Sequence, residues 1–143
     1  MSQKQDAARS LEIVASFYAA KERHDLDAVI ADFADDIYYV FPLAANGEPA
    51  PWFVHDGREA VVEYQRALLE NFPQIRMLDQ ELTVSTEGDV VFASSRGDYK
   101  TQDGTAYTNV YLFRFELANE QIVRVTEYCN PVTYAKLAGL PIG

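Results

Sequence analysis

The second half of the chain alternates. From Ile75 onward, apolar and polar residues exchange with period two in stretches at 75–86, 90–101, 105–117 and 121–130. The joints between them read "EGD", "QDG" and "ANE", short segments that suit hairpin turns. This pattern predicts a four-stranded antiparallel meander. A sheet with one apolar face must bury that face against something. The first half of the chain supplies the cover.

"DAARSLEIVASFYAAKERH" (6–24) reads as a helix, with Leu11, Val14, Ala15 and Tyr18 at i, i+3, i+4 and i+7. Lys21, Arg23 and His24 fall where the last-turn carbonyls favour cations. "DLDAVIADFADD" (25–36) predicts a shorter second helix, capped by Asp25, with Leu26, Val29, Ile30 and Phe33 as its apolar stripe. "IYYVFP" (37–42) is β-branched and aromatic and is stopped by Pro42, which predicts a strand. Residues 43–55, "LAANGEPAPWFVH", read as a loop, and a loop of that length in a compact domain is often functional. Asp56 with Glu59 resembles a capping box opening a third helix to about Phe72, with Val61, Tyr64, Leu68 and Phe72 buried. The expected fold is therefore α+β, with three N-terminal helices packed on one face of a curved, mainly antiparallel sheet. Residues 1–143 form one domain in this reading, and the tail "PVTYAKLAGLPIG" covers one end of it.

Composition narrows the function. A net charge of −10 argues against a surface that grips nucleic acid or an anionic membrane. The single cysteine, Cys129, excludes an internal disulfide and a cysteine metal cluster, and His24 and His55 lie too far apart for a ligand motif. No metal or other cofactor is expected. Neither a secretory signal nor an apolar run of membrane-spanning length is legible, so a cytoplasmic protein is expected. Serines lie in no "GxSxG" elbow and no phosphate-binding glycine loop is present. Nine tyrosines and eight phenylalanines suit an apolar pocket with polar points, although sheet propensity accounts for most of them.

One glutamate stands out. In "VRVTEYCNP" (123–131), a strand puts Val123, Val125, Glu127 and Cys129 on one face. In "AYTNVYLFRFE" the more aromatic face carries Tyr107, Asn109, Tyr111, Phe113 and Phe115. If both faces point into the helix-covered concavity, Glu127 stands inside, near Asn109 and tyrosine hydroxyls. Burial raises a carboxyl pKa and makes it a workable proton carrier near neutral pH. The expected site has Glu127 as acid/base and His55 as a second proton carrier. Asn109, Tyr107, Tyr111, Tyr39, Phe41, Trp52 and Arg96 are its substrate contacts. The competing reading turns Glu127 outward through a bulge, or pairs it with Arg96 or Arg124. His55 is then a loop histidine, Trp52 a plug that anchors the loop, and Arg96 the ion-pair partner of Asp98 or another acid. Gly97, inside a strand, points to a bulge or to close approach by another group.

The order of elements resembles the nuclear transport factor 2-like superfamily, which includes SnoaL-like and ketosteroid-isomerase-like pocket proteins. "DLDAVIADFADDIYYVFP" is similar to a short helix, F-A-D-D and strand common in that group. The resemblance implies a cone-shaped fold enclosing a pocket, commonly in a homodimer packed through the sheet. "YTNVYLFRFE" followed by "EYCNP" is similar to the phenazine-biosynthesis A/B-like proteins. That likeness implies acid/base catalysis by Glu127 on small cyclic keto or amino acids, while a histidine of that family corresponds to Val90 here. The catalytic positions of the steroid isomerases correspond to Phe17, Phe41 and Tyr111, so their proton-transfer set is missing. Nor is the aspartate pair with an intervening arginine of limonene-epoxide hydrolases legible. The function expected is that of a cofactor-free acid/base enzyme of isomerase, cyclase or condensation type, acting on a small hydrophobic or cyclic carbonyl compound. The alternative is a non-catalytic ligand-binding or dimerisation module of the same fold.

Overall fold

The computed structural model describes residues 5–143. Its elements are α1 (Ala7–Glu22), α2 (Leu26–Val29), β1 (Phe33–Phe41), β2 (Phe53–Asp56), α3 (Arg58–Asn71), β3 (Gln74–Val84), β4 (Val90–Lys100), β5 (Ala106–Ala118), β6 (Gln121–Cys129) and α4 (Pro131–Ala138). The expected meander is present: β3, β4, β5 and β6 pair antiparallel in sequence order. β1 then adds to β6 in parallel, with Tyr39 opposite Val125, and β2 closes the other edge, with His55 opposite Tyr39. The six strands lie in the order β2-β1-β6-β5-β4-β3.

The covering helices arise from simple local chemistry. Asp6 caps α1 by accepting from the Arg9 amide at 3.1 Å. Phe17 and Tyr18 of that helix meet Phe113 and Phe115 of β5 edge-on, with ring centroids 5.6–5.8 Å apart. Such edge-to-face packing uses the positive rim of one ring against the negative face of the next. Phe113 and Phe115 are essentially inaccessible to solvent, so this contact is the centre of the core.

Four details differ from expectation. The second helix is a single turn. Asp25 does cap it, accepting from the Ala28 amide, but Phe33 already begins β1 rather than closing a helical stripe. The extended path lets Phe33 pair with Ile122 and gives the Asp32 carbonyl the Ile122 amide at 2.7 Å, while Asp35 and Asp36 stay in water. The expected loop is shortened, because Phe53–Asp56 pairs with β1. Asp56 consequently belongs to a strand, and the residue before α3 is Gly57 at φ 93°, without a side-chain cap. That left-handed backbone is one glycine adopts readily. A register shift opposite Glu116 and Leu117 places Ile122 in the core and leaves Val123 half-buried. Finally, the tail contains a helix: Asn130 accepts from the amides of Val132 and Thr133, and Gly139 ends α4 in the left-handed conformation.

Gly97 marks a close approach rather than a bulge. A Cβ there would come within 2.5 Å of the Tyr111 ring and 3.1 Å of Tyr99, so the missing side chain is what admits two tyrosines over β4. No helix of the described residues is long and apolar enough to cross a membrane.

Candidate active site

A cavity of about 230 Å³ opens between the helices and the concave face of the sheet. Phe41 of β1, Phe53 and His55 of β2 and Tyr64 of α3 form one wall. Phe72, Tyr99, Tyr107 and Tyr111 form another, and Trp52 and Tyr134 complete the aromatic lining. The ring centroids of Trp52 and Tyr134 are 5.8 Å apart, edge-on, which ties the loop after β1 to α4. Against this apolar lining stand two charged groups, Glu127 and Lys21.

Glu127 lies on β6 opposite Phe113, in the inward-facing row. It is buried, and its Oε1 accepts a 2.5 Å hydrogen bond from the Tyr39 hydroxyl. Tyr39 does not line the cavity; it stands beside Glu127 and holds the carboxyl. Burial pushes the Glu127 pKa above the usual carboxylate value, and the Lys21 charge and the Tyr39 hydrogen bond pull part of the way back. Neither Arg96 nor Arg124 reaches it. Arg124 packs on the Tyr38 ring at 4.9 Å and faces Glu116.

Lys21 lies in the last turn of α1 with its side chain inward. The residue is only 1% exposed, and its Nζ lies 5.2 Å from the Phe17 ring centre and 5.6 Å from that of Phe113. Among the described residues no carboxylate lies within ion-pair distance of Nζ, and the attraction of Glu127 acts across a gap. Burial lowers its pKa to about 8, against the raising influence of Glu127. Sequence reasoning assigned Lys21 only to a helix end. A signal was present: Val14, Tyr18 and Lys21 share the i, i+4, i+7 phase, so the buried stripe runs into the lysine.

The tyrosines remain neutral. Burial, reinforced by Glu127, pushes the phenols of Tyr39, Tyr64 and Tyr99 up, and that of Tyr107 reaches about 12. His55 stacks on Tyr64 with centroids 4.5 Å apart and a 16° tilt, and partial burial lowers its pKa, favouring the neutral imidazole. The Cys129 thiol, also on the cavity, is pushed up to about 12 by burial and is a poor nucleophile. His24 is structural, its Nε2 2.7 Å from the Phe72 carbonyl.

Of the residues expected together, the cavity gathers Glu127, His55, Tyr107, Tyr111, Phe41 and Trp52, with Tyr39 behind Glu127. It does not gather Asn109 or Arg96. The Asn109 amide donates to the Tyr107 hydroxyl and the Asn130 carbonyl and accepts from the amides of Val110 and Asn130. Its hydrogen bonding is thus consumed in joining β5 to the end of β6. Arg96 points from the opposite face of β4 and bonds Asp79 at 2.5 and 3.0 Å, while Asp98 pairs with Arg76. Side-chain alternation explains the error: with Gly97 facing inward, its neighbour must face out. No group of His, Cys, Asp and Glu among the described residues is arranged to hold a metal ion.

The sequence matches the profile of the SnoaL-like domain over residues 14–125, most of the chain, and the protein belongs to that family. Its architecture is that of nuclear transport factor 2-like proteins. No curated protein matches the sequence. Among solved structures, a protein from Bacillus subtilis provisionally labelled an isomerase superposes with a TM-score of 0.79 at 19% identity, covering 96% of this chain and 99% of its own. A phenazine biosynthesis-related protein from Pseudomonas aeruginosa gives a TM-score of 0.76 at 18% identity, covering 96% and 89%. A protein from Xanthomonas campestris pv. campestris, provisionally labelled a polyketide cyclase, gives 0.68 at 26% identity, covering 87% and 92%.

Proposed function

We propose that this SnoaL-like protein is a cofactor-independent acid/base enzyme of isomerase or cyclase type, acting on a small cyclic carbonyl compound. The observation that carries this reading is Glu127, a carboxyl with a raised pKa that is held by Tyr39 at the edge of an aromatic cavity. A carboxyl whose pKa approaches the operating pH is an effective proton carrier. Apolar cavities of roughly 150 Å³ admit a benzene-sized molecule, so about 230 Å³ seats one substituted ring. Labels of isomerase and cyclase among structures of the same fold support the reaction type. In the reaction Glu127 removes a proton from the carbon beside the carbonyl and returns it to a carbon or oxygen of the product. Neutral tyrosine hydroxyls orient the ring, and His55 is the second proton carrier. The protein acts in the cytoplasm.

Hydrogen–deuterium exchange beside the carbonyl of small cyclic ketones and keto acids tests this. The wild type is expected to catalyse exchange with at least one of them, and Glu127→Gln to lose about 10²–10⁴-fold. Exchange that is absent throughout, or unchanged in Glu127→Gln, would instead favour the non-catalytic binding module.

A homodimer packed through the sheet completes the proposal. The face of β4, β5 and β6 turned away from the helices exposes Phe92, Val110, Leu112 and Tyr128, with Val110 59% accessible. Contiguous apolar surface of this kind marks an interaction site. Light scattering should find a dimer for the wild type and a monomer for Leu112→Arg.

A further inference from the structure

The reading of Glu127 leaves the second buried charge without a task. Lys21 contributes to the cavity wall, yet α1 could bury an alanine or leucine there at far lower cost. Its ammonium faces the rings of Phe17 and Phe113 and has no carboxylate within ion-pair distance among the described residues. Glu127 is not a contact partner of this ammonium: it acts on Lys21 across a gap, and its Oε1 takes the Tyr39 hydroxyl. Every other ionisable group sharing the cavity is biased towards its neutral form: Tyr64, Tyr99, Tyr107, Tyr111, Tyr134 and Cys129 by raised pKa, His55 by a lowered one. The cavity therefore holds a cation at one point and a proton carrier at another, with an aromatic slot alongside. An unmatched ammonium in apolar surroundings favours an anionic oxygen.

We propose that Lys21 is a substrate-binding residue that receives the developing enolate oxygen, so that the substrate class is a cyclic ketone or phenol-like enol whose oxygen seats on Lys21 while its acidic C–H faces Glu127. This rests on the assignment of Glu127 as the proton carrier. The step balances. The Glu127 carboxylate takes the carbon-bound proton, the C–H electron pair becomes the C=C bond, and the carbonyl π pair moves onto the oxygen beside the ammonium. Reprotonation at carbon reverses the flow and restores the carboxylate. No redox partner is needed. An ammonium in this position stabilises the anion formed along the reaction more than the neutral ketone, which is the difference that accelerates a reaction.

Nitrophenols of graded acidity are stable mimics of the enolate, and their colour reports ionisation. Bound to the wild type, they are expected to be ionised at pH values where the free compounds are neutral, with the ratio of ionised to neutral form raised at least tenfold. Their methyl ethers, which cannot ionise, are expected to bind more weakly. Lys21→Met should abolish the ionisation shift while leaving binding of the methyl ether within about threefold. A phenol that binds the wild type in its neutral form, ionisation that persists in Lys21→Met, or failure of both phenol and ether to bind would each overturn the proposal. If Lys21→Met does not fold, the wild-type comparison of phenol with ether decides alone. The exchange assay separates the two readings: a neutral bound phenol with Glu127-dependent exchange removes Lys21 but keeps Glu127. An ionised phenol with exchange indifferent to Glu127→Gln keeps the anion site and removes the proton carrier.

Discussion

The two faces of the sheet treat charge in opposite ways. Outside, Arg96 meets Asp79, Arg76 meets Asp98 and Arg114 meets Glu116, each at 2.5–2.6 Å. Those charges are neutralised by a neighbour, and water screens what remains, so each pair contributes little to stability. Inside, Lys21 and Glu127 are buried, interact at a distance, and among the described residues have no contact partner of opposite charge. A buried cation and a buried acid that are not paired with each other cost stability, and such an arrangement persists where function requires it. The number of charges therefore does not distinguish a site from a surface. What distinguishes it is whether each charge has been matched locally.

The inner face should be the fragile one. Gly97→Val would drive a branched side chain into the rings of Tyr111 and Tyr99. A destabilisation of about 1–3 kcal/mol is expected from overpacking, measurable by urea denaturation. Loss of ligand binding should accompany it, because Tyr111 forms part of the cavity wall. An unchanged midpoint would show that the tyrosines can move aside and that the enclosure is looser than the packing implies.

The pH response sharpens the contrast further. Glu127 has its pKa raised on folding, so the folded protein binds this proton more tightly than the unfolded chain does. Its contribution to stability is therefore fully present below the unfolded carboxylate value of 4.5 and is lost as pH rises through the folded value. The melting temperature of Glu127→Gln, compared with wild type, should gain relative ground across that window as pH increases. A constant difference would mean that Glu127 does not titrate abnormally. Tyr39→Phe should raise the Glu127 pKa still more, since its hydrogen bond is one of the two influences that lower it. The smallest effect belongs outside: Arg96→Ala should alter stability by no more than about 0.5 kcal/mol and leave ligand binding unchanged. A larger loss of binding in this variant would return Arg96 to the site.

Local pattern made the fold and part of the site legible. Period-two alternation and three tight turns were enough for the meander, and the same alternation placed Tyr107, Tyr111, Phe113 and Glu127 on the inner face. It also contained the information that Arg96 faces outward once Gly97 faces in, and helical phase contained the inward turn of Lys21. Both were overshadowed by residue type, because arginine suggests substrate anchoring and a terminal lysine suggests a helix end. Asn109 had the correct face and still does not reach the cavity, since its amide is used by Asn130, a partner 21 residues away.

Which residues alternate, which helical stripe is apolar and that a carboxyl falls in an aromatic row are all legible in the one-dimensional pattern, because periodicity is set by backbone geometry. Tertiary structure alone decided that β1 lies parallel beside β6, bringing the Tyr39 hydroxyl onto Glu127 across 88 residues of chain. It alone placed α1 so that Lys21 is enclosed with Phe17 and Phe113, and joined Trp52 to Tyr134. Desolvation and through-space attraction depend on what surrounds a group in three dimensions, so the chemistry of this site is a property of the packing.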